Sequence, residues 1–153
     1  MKQKTFSSLP FALLLILSCF SNSIFSQYKI SQIIEENKGR ITSPFKYDGF
    51  TMTEFSFDLL NKEKSVEFLA FKGQKYKLFF CSSSFEESVK ISVYDKTVPK
   101  VKIAEKIIDS TDPNWTYEPV KAGTYSIVYE IPPSNTDIEH KACLLMLIGF
   151  TGK

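Results

Sequence analysis

Histidine is almost missing from this chain: among 153 residues there is one, His140. A Ser-His-Asp arrangement needs a base that a third group holds in place, and His140, beside Glu139 in a polar stretch, has no such partner fixed by the sequence. Cysteine is nearly as scarce, with Cys19 in the first apolar run and only Cys81 and Cys143 beyond it. One histidine and two cysteines are too few ligands for a zinc site. No Cys-x-x-Cys spacing marks a redox thiol. The six glycines stand singly, so no glycine-rich loop is present to cradle a phosphate. No internal repeat and no low-complexity segment appears. The residue pattern points to no cofactor.

Long apolar runs are absent too. The longest near the start, Leu9 to Phe20, is about 12 residues, short of the roughly 20 that a spanning helix needs. Lys2 and Lys4 precede it and Ser21-Asn22-Ser23 follows it, the order of charge, apolar core and small residues that marks a secretory leader. Residues 1–26 are therefore read as a signal peptide cut after Ser26 to expose Gln27, with a cut after Ser23 as the alternative. A rival reading takes Cys19, preceded by the small Ser18, as a lipid-modified first residue of a lipoprotein.

Excess charge of either sign is also lacking. The precursor carries 19 basic and 17 acidic groups; residues 1–26 hold Lys2 and Lys4 and no acid, so the remainder is balanced. Without surplus positive charge the counterion release that drives nucleic-acid binding is missing, and no polybasic run is present for anionic lipid. Nucleic acid is excluded as a partner, and the mature chain has no expected transmembrane span.

What the chain has is alternation. Residues 27–46 form an N-terminal arm in which Ile30, Ile33 and Ile34 keep the spacing of one helical face, with Gly39 as a stop. From Phe50 the period becomes two. Phe55 and Phe57 share one face, then Val66, Phe68 and Ala70, then Tyr76, Leu78 and Phe80, with Gly73-Gln74 between the last two runs reading as a hairpin turn. Val89, Ile91 and Val93 follow. A weaker strand covers Val101 to Ile108, where the alternation slips near Ala104 and predicts a bulge. Trp115 and Tyr117 open a strand that Pro119 confines to an edge or an end, and Tyr125, Ile127, Tyr129 and Ile131 alternate after Ala122-Gly123. The last run, Cys143 to Phe150, is apolar on both faces and should be a central strand covered from both sides. Seven or eight short strands without a long helix predict an all-β antiparallel sandwich over residues 47–153.

In an exported chain the two remaining cysteines usually pair. A Cys81–Cys143 disulfide closes about 62 residues and stabilises by roughly 4 kcal/mol in the chain-entropy model. It would tie an early strand to the final one.

Aromatics are in excess once the leader is set aside: ten Phe, seven Tyr and Trp115. Most belong to the core. Tyr94, Trp115 and Tyr117 are the candidates for a surface platform that stacks on sugar rings or anchors a protein; the competing reading packs Trp115 into the core. Acid pairs at Glu35-Glu36, Glu86-Glu87 and Asp109 with Asp112 leave a hydrolase open only if two of them face across a cleft. Asp109 and Asp112 also allow a calcium site without regular loop spacing. Asp109-Ser110-Thr111 matches a short acceptor pattern for O-glycosylation, and an ordinary Asp-led turn explains it as well.

The order Tyr47-Asp48-Gly49, Phe71-Lys72-Gly73-Gln74-Lys75-Tyr76-Lys77-Leu78, Cys81, Ile91-Ser92-Val93-Tyr94-Asp95, Trp115 and Cys143 to Phe150 resembles a group of small exported proteins of gliding, type IX-secreting Gram-negative bacteria. Lys121-Ala122-Gly123-Thr124-Tyr125-Ser126-Ile127 is distantly similar to a late strand of bacterial pre-peptidase C-terminal domains. The resemblance implies a jelly-roll-like sandwich and an envelope location, and it implies no activity. Lys153 follows closely on the final strand, without a sorting domain, which favours periplasmic or outer-membrane-associated residence. The function these readings imply is a non-catalytic envelope protein working by protein–protein contact, as an accessory subunit of an outer-membrane assembly. The alternative is a carbohydrate-binding module.

Overall fold

The computed structural model of the chain describes residues 30–57, 60–82, 87–97, 100–134 and 140–152, the side chain of His140 apart. The expected signal peptide over residues 1–26, with Cys19, and Gln27, Glu86 and Glu139 lie outside the described residues. Residues 30–38 are helical, with Ile30, Ile33 and Ile34 half-buried and most of the remaining positions exposed, as their spacing predicts. Gln32 donates to Glu36 one turn on, at 2.9 Å. The chain divides between Glu36 and Asn37, and the unit from Asn37 to Lys153 holds every strand.

Eight strands follow: β1 (Lys46–Phe57), β2 (Lys62–Ala70), β3 (Lys75–Ser82), β4 (Val89–Asp95), β5 (Val101–Ile108), β6 (Asn114–Tyr117), β7 (Gly123–Ile131) and β8 (His140–Thr151). They form two four-stranded sheets, ordered β1-β8-β3-β6 and β2-β7-β4-β5, with every pair antiparallel. This is the expected all-β sandwich in a jelly-roll-like arrangement. One local expectation fails. Gly73 turns the chain between β2 and β3, but these strands do not pair; β2 lies beside β7 and β3 beside β8. Gln74 N–H donates to the Phe71 carbonyl at 3.3 Å and Gly73 has φ 83°, so the turn carries the chain from one sheet to the other. A positive φ at the third position of a turn suits glycine whether or not a hairpin follows.

Alternation fills the interior. Leu78, Phe80, Leu144 and Met146 from one sheet meet Ile91, Val93, Tyr125 and Ile127 from the other, all essentially without exposure. Tyr129, also inward, meets Thr53 across the sandwich: burial raises the phenol pKa, and the Thr53 hydroxyl bound to it pulls the other way. The expected bulge lies where Val93 faces Ala104 and Tyr94 faces Lys102, leaving Ile103 as the extra residue. β6 is the outer strand of its sheet, as Pro119 predicts.

The outer faces differ. On the sheet containing β8, Phe79, Cys81, Leu145 and Leu147 point away from the interior and are still buried. Ile41 and Phe45, from the segment before β1, lie over Gly149 on that face; a Cβ on Gly149 would stand 2.4 Å from Ile41 Cγ2 and 3.4 Å from Phe45 Cβ. The Lys77 ammonium sits over the Phe45 ring at 4.8 Å. On the other sheet the outer face is charged, with Lys90–Glu130 and Lys102–Glu105 at 2.6 Å and Lys96–Glu67 at 2.5 Å. Such exposed pairs contribute about 0–1 kcal/mol each.

Gly149→Val therefore forces Ile41 off the sheet. Overpacking of this kind costs about 1–3 kcal/mol, and a urea melt should show that loss while Gly152→Val, where a Cβ meets nothing within 4 Å, changes little.

Candidate functional site

β6 is short because its pairing with β3 lasts only from Asn114 opposite Cys81 to Tyr117 opposite Leu78. That register places Trp115 opposite Phe80 and points both Trp115 and Tyr117 inward, at the open side of the sandwich where β6 approaches β5. Trp115 lies nearly parallel to Phe80, centroids 5.2 Å apart and planes at 21°. Tyr117 leans on Trp115 at 5.8 Å and meets Tyr125 edge-on at 6.4 Å. Both residues remain half-buried and pack against the core. One face of the indole is thus occupied by Phe80.

Tyr94 is elsewhere. It faces Ser126 across β4 and β7, on the outer side of the other sheet, with the Lys100 ammonium 4.3 Å above its ring. The structure brings Trp115 and Tyr117 together and separates Tyr94 from them by the thickness of a sheet.

A polar cluster adjoins Tyr117. The Asp95 carboxylate is buried, accepts from the Thr97 N–H at 2.9 Å and pairs with the Lys121 ammonium at 2.5 Å. These bonds hold its pKa down at about 2. Tyr125 Oη donates to the Lys121 carbonyl at 2.7 Å, a bond from a strand tyrosine to backbone four residues upstream. That arrangement pins sandwich corners. Burial first, then Tyr125 and Asp95, push the Tyr117 phenol up to about 12, so it stays protonated at neutral pH. Nothing in the residue types at Asp95 and Lys121 singles them out; only the position of each at a strand end beside a turn hints at the contact.

Beside Tyr94, β5 presents two outward apolar residues that the residue pattern does not single out: Ile103, the bulge residue, and Ile107 are 41% and 54% exposed. Val101, 49% exposed, stands opposite Asp95 and so on the other side of the strand. The slipped alternation at Ala104 was the available signal, since a bulge re-aims side chains. Ile107 also lines a groove of about 380 Å³ shared with Lys62, Lys90, Glu130 and Pro132.

The candidate acids have local partners. Asp109 Oδ1 accepts from the Thr111 N–H at 2.7 Å, the Thr111 hydroxyl at 2.6 Å and the Asp112 N–H at 2.9 Å, and Asp112 pairs with Lys106. They share one turn and do not face each other across a cleft. Glu87 accepts from the buried Ser134 hydroxyl at 3.0 Å. Glu35 and Glu36 lie exposed on the helix. Among the described residues no group of three or more His, Cys, Asp or Glu could hold a metal ion.

Cys81 and Cys143 sit on neighbouring strands and on one face. Cys81 faces Leu145, so Cys143 stands two residues from its partner, on the diagonal. Diagonal neighbours have Cα atoms about 7–8 Å apart, just beyond the roughly 4.4–6.8 Å of most disulfides. The sulfurs are not bonded to each other. Burial and then Cys143 push the Cys81 thiol up to about 12, which leaves it a weak nucleophile.

No family model matches the chain, and no curated protein matches its sequence. Solved structures do align with it. A periplasmic inhibitor of g-type lysozyme from Aeromonas hydrophila is 12% identical over 67% of this chain and 87% of its own, with TM-score 0.44. A protein of the disulfide-linked pili of Bacillus endospore appendages is 10% identical over 71% of this chain and 89% of its own, with TM-score 0.39. A carbohydrate-binding module of family 4 is 7% identical over 72% of this chain and 77% of its own, with TM-score 0.40.

The depressed pKa of Asp95 has a defined consequence. Its ordinary value is 3.8 and its folded value is about 2, so its stabilisation is fully present above the ordinary value and is lost as pH falls through the folded one. Asp95→Asn should flatten the decline of the melting temperature between these two pH values, with Thr97→Ala, which removes the hydroxyl bond to Asp95 and keeps the N–H bond, doing so more weakly. Thermal melts across that range check this; an unchanged slope in Asp95→Asn refutes it.

Proposed function

We propose that this chain is a non-catalytic exported protein that works by binding a protein partner in the cell envelope, along the β5 side of the sandwich. The observation that carries this reading is the outward pair Ile103 and Ile107, about half-exposed on a sheet face whose other residues are largely salt-bridged. Two large β-branched residues gain nothing from water. Apolar residues ringed by charged ones, here Lys100, Lys102 and Glu105, match the dry centre and polar rim of protein interfaces. The leader pattern of residues 1–26 and the resemblance to small exported proteins of gliding bacteria support a periplasmic or outer-membrane-associated address, with lipidation at Cys19 as the variant form.

A glycan is the second reading. What favours it is the meeting of Trp115 and Tyr117 at an open edge, half-buried. What weighs against it is Phe80, which already covers one of the two indole faces on which a sugar ring could stack.

The double variant Ile103→Lys/Ile107→Lys should keep its melting temperature, because both side chains are exposed, and should lose the partner that wild-type protein retains from envelope membranes at native expression level. Retention of that partner by the double variant refutes the β5 assignment. Glycan-array binding that Trp115→Ala abolishes establishes the second reading instead.

For Cys81 and Cys143 the proposal is a disulfide made after export. The two thiols would transfer two electrons and two protons to an oxidising disulfide of that compartment, with a small shift of β3 against β8 to close the diagonal. Peptide mapping of protein purified from the envelope without reductant should find the Cys81–Cys143 linked pair; both cysteines alkylated as thiols refutes it.

A further inference from the structure

A β-sandwich has four outer strands, each with a row of backbone groups that can recruit another strand, and folded proteins usually blunt them. Three of the four are blunted here. β2 carries Lys62, Glu63, Lys64 and Glu67, β5 carries Lys102, Glu105, Lys106 and a bulge, and β6 is four residues long. β1 is different. It runs for 12 residues, its bulge lies at its beginning between Tyr47 and Gly49, and from Gly49 to Phe57 its one charge is Glu54.

The direction of the free groups follows from one contact. Lys62 Nζ donates to the Ser56 carbonyl at 3.2 Å and to Ser56 Oγ at 2.9 Å. The Ser56 peptide groups therefore point away from β8. Register with β8 is regular from Gly49 to Phe57, and in an antiparallel pair the direction alternates residue by residue. The N–H and C=O of Phe50, Met52 and Glu54 point outward as well. Lys62 caps the Ser56 end, the bulge closes the other, and the open window is Phe50 to Glu54.

We propose that this window pairs with the same window of a second copy of the chain, antiparallel about a two-fold axis at Met52. In that register Met52 faces Met52, Phe50 faces Glu54 and Thr51 faces Thr53. Every outward-pointing residue meets another, so six backbone hydrogen bonds can form. Charge supports a second copy as the occupant. Glu54 meets Phe50 and not its own equivalent, whereas like charges directly opposite are unfavourable. Beyond the window, Ser56 with the Lys62 ammonium beside it falls opposite Asp48 of the other copy, twice by symmetry. Phe50, 45% exposed, gains cover at the same time. An interface of this kind uses the same patch on both partners and closes. It lies on the β1–β2 side, away from β5, so it stands independently of the proposed partner surface.

Sedimentation equilibrium of the exported chain should show a monomer–dimer equilibrium. Met52→Lys, placing like charges at the axis, should weaken the dimer roughly tenfold with little change in melting temperature, because Met52 is half-exposed. Met52→Cys should be trapped as a covalent dimer by oxidised glutathione, and Phe50→Cys should not, since only a residue on the axis meets itself. A wild-type chain that stays monomeric at every concentration, a dimer indifferent to Met52→Lys, or equal cross-linking at positions 50 and 52 overturns the proposal. So does Met52→Cys cross-linking in cells to a different protein, which would give the edge to a foreign strand.

Discussion

Burial of β8 on both faces is the constraint on which the rest of this structure depends. Leu144 and Met146 point into the sandwich while Leu145 and Leu147 point out of it, and none of the four has measurable contact with water beyond about a percent. A strand of that kind needs a neighbour on each side and a cover on each face. β1 and β3 supply the sides. The second sheet covers one face, and Ile41 and Phe45 reach the other, over a glycine that leaves them room.

Polar groups are used here to fix geometry more than to do chemistry. Tyr125 ties its hydroxyl to the Lys121 carbonyl, Asp95 holds the Lys121 ammonium, and Tyr129 meets Thr53 between the sheets. Each of these satisfies a group whose burial alone would destabilise the fold. Asp109 organises a turn in the same way. The acids and tyrosines that a catalytic reading would draw on are thus engaged as local fasteners.

The two open sides of the sandwich are unlike each other. At one side, β6 is short and aromatic and β5 shows the apolar pair Ile103 and Ile107 set among salt bridges. At the other, β2 is heavily charged and β1 is long with a single charge from Gly49 to Phe57. Unequal edges give a small domain two separate and chemically different surfaces.

The strands are written in the order of the residues, because a period of two leaves an apolar side that must be buried wherever it occurs. Phe55, Leu78, Ile91, Ile127 and Leu144 are each interior for that reason, and the doubly apolar run at Cys143 to Phe150 had to be central. Even the slip at Ala104 was legible, since a bulge disturbs alternation. Which strands pair was not. The Gly73 turn looks the same in sequence whether it closes a hairpin or crosses between sheets, because local turn chemistry sets φ and not the partner. Packing of the two sheets is what places Trp115 and Tyr117 together with Tyr94 on another face, sets Cys81 and Cys143 on one face along the diagonal, and brings Lys62 to Ser56. Those relations join residues far apart along the chain, and their geometry follows from sheet order and register, which no local pattern contains.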